Sequence, residues 1–146
     1  MNHAAANKYV NILDPVSGTG AVTVDNVVDT AGYSYLTVVV STGASSGLTV
    51  LKLREGEASN MSDAADITGT VIGTALDIDG GTSTLPSASN DEIHVINIDL
   101  RGRKRYIDVA ATRGGTTLTS ILGILSRAGE ATNVLADRGV NTMVDA

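Results

Sequence analysis

The sequence predicts an all-β fold: an antiparallel β-sandwich, jelly-roll-like, with extended N- and C-terminal arms. Three observations carry the prediction. Runs rich in Val, Ile, Thr and Tyr recur along the chain, punctuated by Gly, Asn, Asp and Ser. They amount to about seven or eight short strands with turn signals roughly every 8–12 residues, the rhythm of sandwiches and jelly rolls. Helix signals are nearly absent, and no repeat at a fixed period appears. The 146 residues suit one domain, since domains cluster at roughly 100–150 residues. The chain divides into an N-terminal arm at 1–14, a β-sandwich domain at 15–126 and a C-terminal arm at 127–146.

Residues 1–14 hold too few apolar side chains to fold alone, so they read as an arm. After the Pro15-Val16-Ser17-Gly18 turn, Ala21 to Val28 reads as the first strand. Tyr33 to Thr42 is the second, alternating Tyr35, Thr37 and Val39 with Leu36, Val38 and Val40. Both faces are apolar, which predicts a central strand covered on two sides. Gly43 to Gly47, all small residues, predicts a hairpin loop into a third strand at Leu48–Arg54. Glu55 to Asp66 is polar and aperiodic, and Ser62 stands where it can cap a single helical turn. A weaker strand follows at Gly69–Ile78, then a long loop at Asp79–Asn90.

The clearest hairpin pairs Glu92–Leu100 with Arg105–Thr112 across an Arg101-Gly102-Arg103 turn. Its alternation points Ile96, Ile98 and Leu100, then Ile107, Val109 and Ala111, inward, with Tyr106 and Asp108 outward. Gly114-Gly115 predicts another turn before the last strand, Thr117–Ser126. That strand's Ile121-Leu122-Gly123-Ile124-Leu125 run is apolar on both faces. Beyond it, polar residues interrupt single apolar ones, among them Val134, Leu135, Val140 and Met143. Glu130–Arg138 allows a short helix stopped by Gly139, but an extended arm fits the pattern better.

Composition excludes several classes. There is no cysteine, hence no disulfide and no thiolate metal site. There is no Trp and no Phe, and the aromatics are Tyr9, Tyr33, Tyr35 and Tyr106. That argues against a site built on stacking of sugars, bases or cofactor rings. A net charge of -6 disfavours nucleic-acid binding, which needs a positive face. No run approaches 18 apolar residues, so no membrane helix is expected. The N-terminus lacks a basic segment followed by an apolar one, so no secretion signal is expected either.

Candidates for chemistry are few. Nucleophilic catalysis needs a base beside the nucleophile, and His3 and His94 are the two imidazoles. His3 falls in the arm. His94 falls in an alternating strand, where a hydrogen-bonded structural residue is expected. No nucleophile elbow or oxyanion loop flanks either one. Asp77-Ile78-Asp79-Gly80-Gly81 matches the start of a calcium loop, but Ala88 stands where the twelfth-position Glu is needed. Gly18-Thr19-Gly20 and Arg113-Gly114-Gly115 precede strands, not the helix a phosphate loop requires. We therefore expect no enzyme activity, no metal and no cofactor.

One charge cluster stands out. Arg101, Arg103, Lys104 and Arg105 place four cations within five residues of an acidic chain. Three readings remain open: a solvated hairpin tip, a docking knob for an acidic partner surface, and a nucleic-acid contact weakened by the net charge.

Some of these stretches also carry a family resemblance. They are Gly32-Tyr33-Ser34-Tyr35-Leu36-Thr37-Val38-Val39-Val40-Ser41, then Leu51-Lys52-Leu53-Arg54-Glu55 with Asp66-Ile67-Thr68-Gly69-Thr70. Arg103-Lys104-Arg105-Tyr106-Ile107-Asp108-Val109 and Ser120-Ile121-Leu122-Gly123-Ile124-Leu125 complete the set. Over about residues 30–126 the chain resembles a family of small tailed-bacteriophage structural proteins. It departs from the pattern in having no aromatic between Gly56 and Ala65 and Ile98-Asp99-Leu100 before the basic segment.

The resemblance implies a capsid decoration, or cement, protein. Such a protein binds the outer capsid surface of a virion and clamps adjacent major capsid protein subunits. It is made in the bacterial host cytoplasm. The expected partners are the major capsid protein and the chain itself, as a homodimer before a trimer, with no nucleic acid and no membrane. Self-association follows from the two strands that are apolar on both faces. The residues expected to meet partners are Arg101, Arg103, Lys104 and Arg105, with Val134, Leu135, Val140 and Met143 in the C-terminal arm. The alternatives are a head–tail connector or tail-tube component, and a glycan-binding β-sandwich, against which the missing Trp and Phe count.

Overall fold

The computed structural model describes residues 6–45, 47–67 and 91–128. The predicted Gly69–Ile78 strand, the calcium-like Asp77–Gly81 stretch and the C-terminal residues Val134, Leu135, Val140 and Met143 lie outside the described residues. Among these residues seven strands follow in chain order: β1 (Lys8–Ala21), β2 (Val28–Asp29), β3 (Tyr33–Ser45), β4 (Leu48–Gly56), β5 (Ala65–Asp66), β6 (Glu92–Asp99) and β7 (Tyr106–Ala128). No α-helix occurs among the described residues. The molecule is all-β and antiparallel, as predicted, and all seven strands belong to one curled sheet.

The long strand β7 is its axis. Along one edge of β7 run β1 and then β2; Lys8 pairs with Leu125, Ala21 with Thr112 and Val28 with Ile107. Along the other edge run β3 and then β4, with Ser45 opposite Thr117 and Leu48 opposite Arg113. Outside β3 lies β6, and outside β4 lies the short β5.

Odd-numbered residues of β7 face inward along its length, from Ile107, Val109 and Ala111 to Ile121 and Leu125. They meet Leu36, Val38 and Val40 of β3, Leu51 and Leu53 of β4, Val28, and Ile12 and Leu13 of β1 in one cluster. Fully burying each aliphatic side chain contributes about 1.5–3 kcal/mol, so this inner face is what holds the curl.

Five expectations are corrected. First, Lys8–Asp14, assigned to an arm, is strand: Ile12 is 0% exposed and Leu13 3%. Register shifts between Asn11 and Leu13 and between Leu13 and Val16 let two successive side chains turn inward. They also accommodate Pro15 on a strand that pairs on one side only, where a missing N–H costs little. Second, the strand predicted at Ala21–Val28 is irregular from Val22 to Val27. Third, Gly43–Gly47 is no hairpin loop, because β3 and β4 run the same way along β7.

Fourth, Gly114-Gly115 is no turn. β7 continues through it for 23 residues, and Gly114 N–H donates to Gly47 O at 3.0 Å. Fifth, Glu92–Leu100 does not pair with Arg105–Thr112. Its partner is β3, from Tyr35 opposite Asp99 to Thr42 opposite Glu92, while the start of β7 pairs with β4 and β2. The segment 100–105 therefore crosses the end of β3, where Leu100 N–H donates to Ser34 O at 2.9 Å.

Candidate functional site

The cation cluster folds back onto its own chain. Arg101 pairs with Asp99, Arg105 with Asp29 at 2.8 Å, Arg103 with Glu55 at 3.7 Å and Lys104 with Asp63 at 3.8 Å. Thr30 adds hydrogen bonds from its N–H and hydroxyl to Arg105 O at 3.0 and 2.7 Å. The segment is thus stapled to β2, β4, the 57–64 loop and β6, and is not a projecting hairpin tip. A partner reaching it meets ion pairs already formed.

The pairing shifts the acids. The Arg101 guanidinium holds the Asp99 carboxyl down at about 2. The Arg105 guanidinium lowers Asp29, with burial opposing it. Asp63 is lowered chiefly by the N–H groups of Glu57 and Ala58, which donate to its oxygens at 2.8 and 3.1 Å. Asp63, not Ser62, organises that loop. Gly56 is needed beside it, because a Cβ there would stand 2.6 Å from Asp63 Oδ1.

Asp108 turns away from Val109, as its alternation predicts, yet it is only 3% exposed. Its cross-strand neighbour Arg54 covers it: Nε donates to Oδ1 at 2.9 Å and Nη2 to Oδ2 at 2.5 Å. The Asp108 hydrogen bonds raise the Arg54 guanidinium in turn. Arg113 is also buried, donating Nε to Thr119 Oγ1 at 3.1 Å and Nη2 to Val16 O at 3.3 Å. It ties β1 to β7 where the sheet passes Gly114-Gly115.

His94 is not the hydrogen-bonded residue expected. Its Nε2 is buried without a hydrogen-bond partner, and Glu92 Oε2 lies 3.8 Å away. Among the described residues no group of His, Asp or Glu is placed to hold a metal ion. No helix of the described residues is long and apolar enough to cross a membrane.

The feature that suits a binding role is the outer face of the sheet over β6, β3, β7 and β1. Val95, Val39, Leu122 and Asn11 form one cross-strand row. Asn97, Thr37, Ile124 and Tyr9 form the row on one side, and Ile93, Ser41 and Ser120 the row on the other. None of these residues is charged. Ile93 is 69% exposed, Val95 55% and Leu122 37%, with Leu118 and Val16 also exposed beyond them. The second apolar faces of Tyr33–Thr42 and Thr117–Ser126 thus lie side by side and uncovered among the described residues.

Two grooves close the ends of this face. One, of about 330 Å³, is lined by Tyr35, Thr37, Asn97, Ser126 and Arg127, with the Arg127 guanidinium 5.1 Å above the Tyr35 ring. The other, of about 350 Å³, is lined by Gly43, Asp91, Glu92, Ile93 and Leu118. Sequence reasoning missed Arg127 and Asp91. Both are non-glycine residues in the left-handed region, at φ 54° and 57°, a conformation no local pattern announced.

No family model matches this chain. No curated protein matches it either.

Proposed function

We propose that the chain is a non-enzymatic structural protein of a tailed-phage virion. In this reading it binds the outer capsid surface and cements adjacent major capsid protein subunits. One observation supports it most: the broad outer face of the sheet carries an apolar row, Val95, Val39 and Leu122, between rows without charge, and is open among the described residues. Interface cores are depleted of charge in this way, and exposed apolar patches of this extent mark association surfaces. The resemblance over residues 30–126 supplies the kind of assembly. A jelly-roll-like sandwich is the finer fold that goes with it.

Cosedimentation with tailed-phage shells stripped of accessory proteins tests the reading. Saturation in proportion to the number of capsid subunits is expected, since a repeating shell multiplies weak contacts into avidity. Binding of only a few copies per shell would favour a head–tail position. Absence of binding to competent shells would overturn the capsid role.

A further inference from the structure

We infer that the outer face over β6, β3, β7 and β1 is covered by a second copy of this chain, related by a two-fold axis running across the strands. The inference deepens the structural role proposed above and rests on it: this face joins two copies, and the shell is then met by the surfaces that the dimer leaves free.

The face is complementary to itself along its length. At one end Arg127 carries a charge with no ion pair among the described residues; it is held over Tyr35 instead. At the other end Asp91 is exposed, likewise without an ion pair among the described residues, and lines the groove there. A two-fold axis along the Val95–Val39–Leu122 row reverses one copy end for end. It lays the Arg127 groove of each copy over the Asp91 groove of the other. The apolar row packs on its own symmetry mate, and the Thr37 row meets the Ser41 row. Each polar end is used twice, as an isologous interface requires.

The size is adequate. Strands lie about 4.8 Å apart and rise about 3.3 Å per residue, so four strands over eight residues present roughly 500 Å². Two copies bury about 1,000 Å², the lower bound for a specific interface. The central row excludes water, while the terminal ion pairs set the orientation.

Sedimentation equilibrium on the full chain tests this. We expect a dimer with a micromolar dissociation constant that weakens as salt is raised. Leu122→Asp, whose side chain is on the outer face, should give a folded monomer by circular dichroism. Arg127→Asp or Asp91→Arg alone should weaken the dimer about tenfold, and the two together should restore it, as for oppositely charged partners exchanged across an interface. The exchange is conformationally even-handed, because both positions already hold a left-handed backbone. A chain monomeric at about 100 μM, a dimer indifferent to Leu122→Asp, or a double variant no better than the singles would each overturn the inference. Shell binding by the same variants separates the two proposals. A dimer that ignores shells overturns the capsid role alone, and wild-type chain that saturates shells as a monomer overturns self-association alone.

Discussion

Asp108 is 3% exposed, and Arg54 donates to both of its oxygens. Removing the guanidinium would strand a buried carboxylate. Arg54→Leu is expected to cost about 3 kcal/mol, read as a lower urea midpoint at unchanged slope. Asp108→Asn in the same chain should recover part of that loss, since no unpaired charge then remains. The exposed acids act through pH. Asp29, Asp63 and Asp99 are all held below the ordinary carboxyl range. A group depressed on folding adds stability above its unfolded value, near 4 for Asp, and loses it as pH falls through the folded value. For Asp99 that window runs from about pH 4 to about 2. The melting temperature should therefore fall across it, and Asp99→Asn should flatten the fall. Of the partners behind these effects, Asp99 was within reach of sequence reasoning, two residues from Arg101. Asp29, Glu55 and Asp63 were not, because residues 41 to 76 positions away meet the cluster only through the sheet.

At the scale of elements, the sequence marks strand content and inward faces well. The inward sets Leu36, Val38 and Val40, and Ile107, Val109 and Ala111, are buried as alternation requires. Pairing was far less legible. Adjacent runs around Gly102 imitate a hairpin, and Gly102 does turn with φ 77°, but β6 pairs with β3. Glycine is ambiguous for the same reason. Gly123 lies mid-strand because a Cβ would come within 3.1 Å of Ile12 Cδ1 and 3.5 Å of Leu36 Cδ1, a close approach that local sequence cannot show. The reading of β7 as one strand is open to test. Inserting two residues between Gly114 and Gly115 should unfold the protein, because it displaces half of the central strand against β1 and β3. The same insertion after Gly102, an exposed turn, should lower the melting temperature by only a few degrees. Equal tolerance at both places would mean that Gly114-Gly115 is a turn after all.

For the whole molecule, the sequence presents both ends of the chain as arms, and the described part of the first belongs to the sheet. Residues 1–14 read as an arm because they hold few apolar side chains. Lys8–Asp14 fold because β7 supplies a long edge and the inner face supplies room for Ile12 and Leu13. Truncating a buried Ile or Leu costs about 2–5 kcal/mol, so losing both approaches the 5–15 kcal/mol that holds a typical domain. A chain beginning at Pro15 is therefore expected not to fold, with no cooperative melting transition by circular dichroism. The core cluster of described residues runs from Ile12 to Leu125, so a chain ending at Ala128 keeps all of it. That deletion removes Val134, Leu135, Val140 and Met143, the residues read as reaching a neighbour. It should lower the melting temperature by only a few degrees while weakening attachment to capsid shells. A loss of folding on removing 129–146, or undiminished shell binding without them, would take the role of a clasp away from this segment.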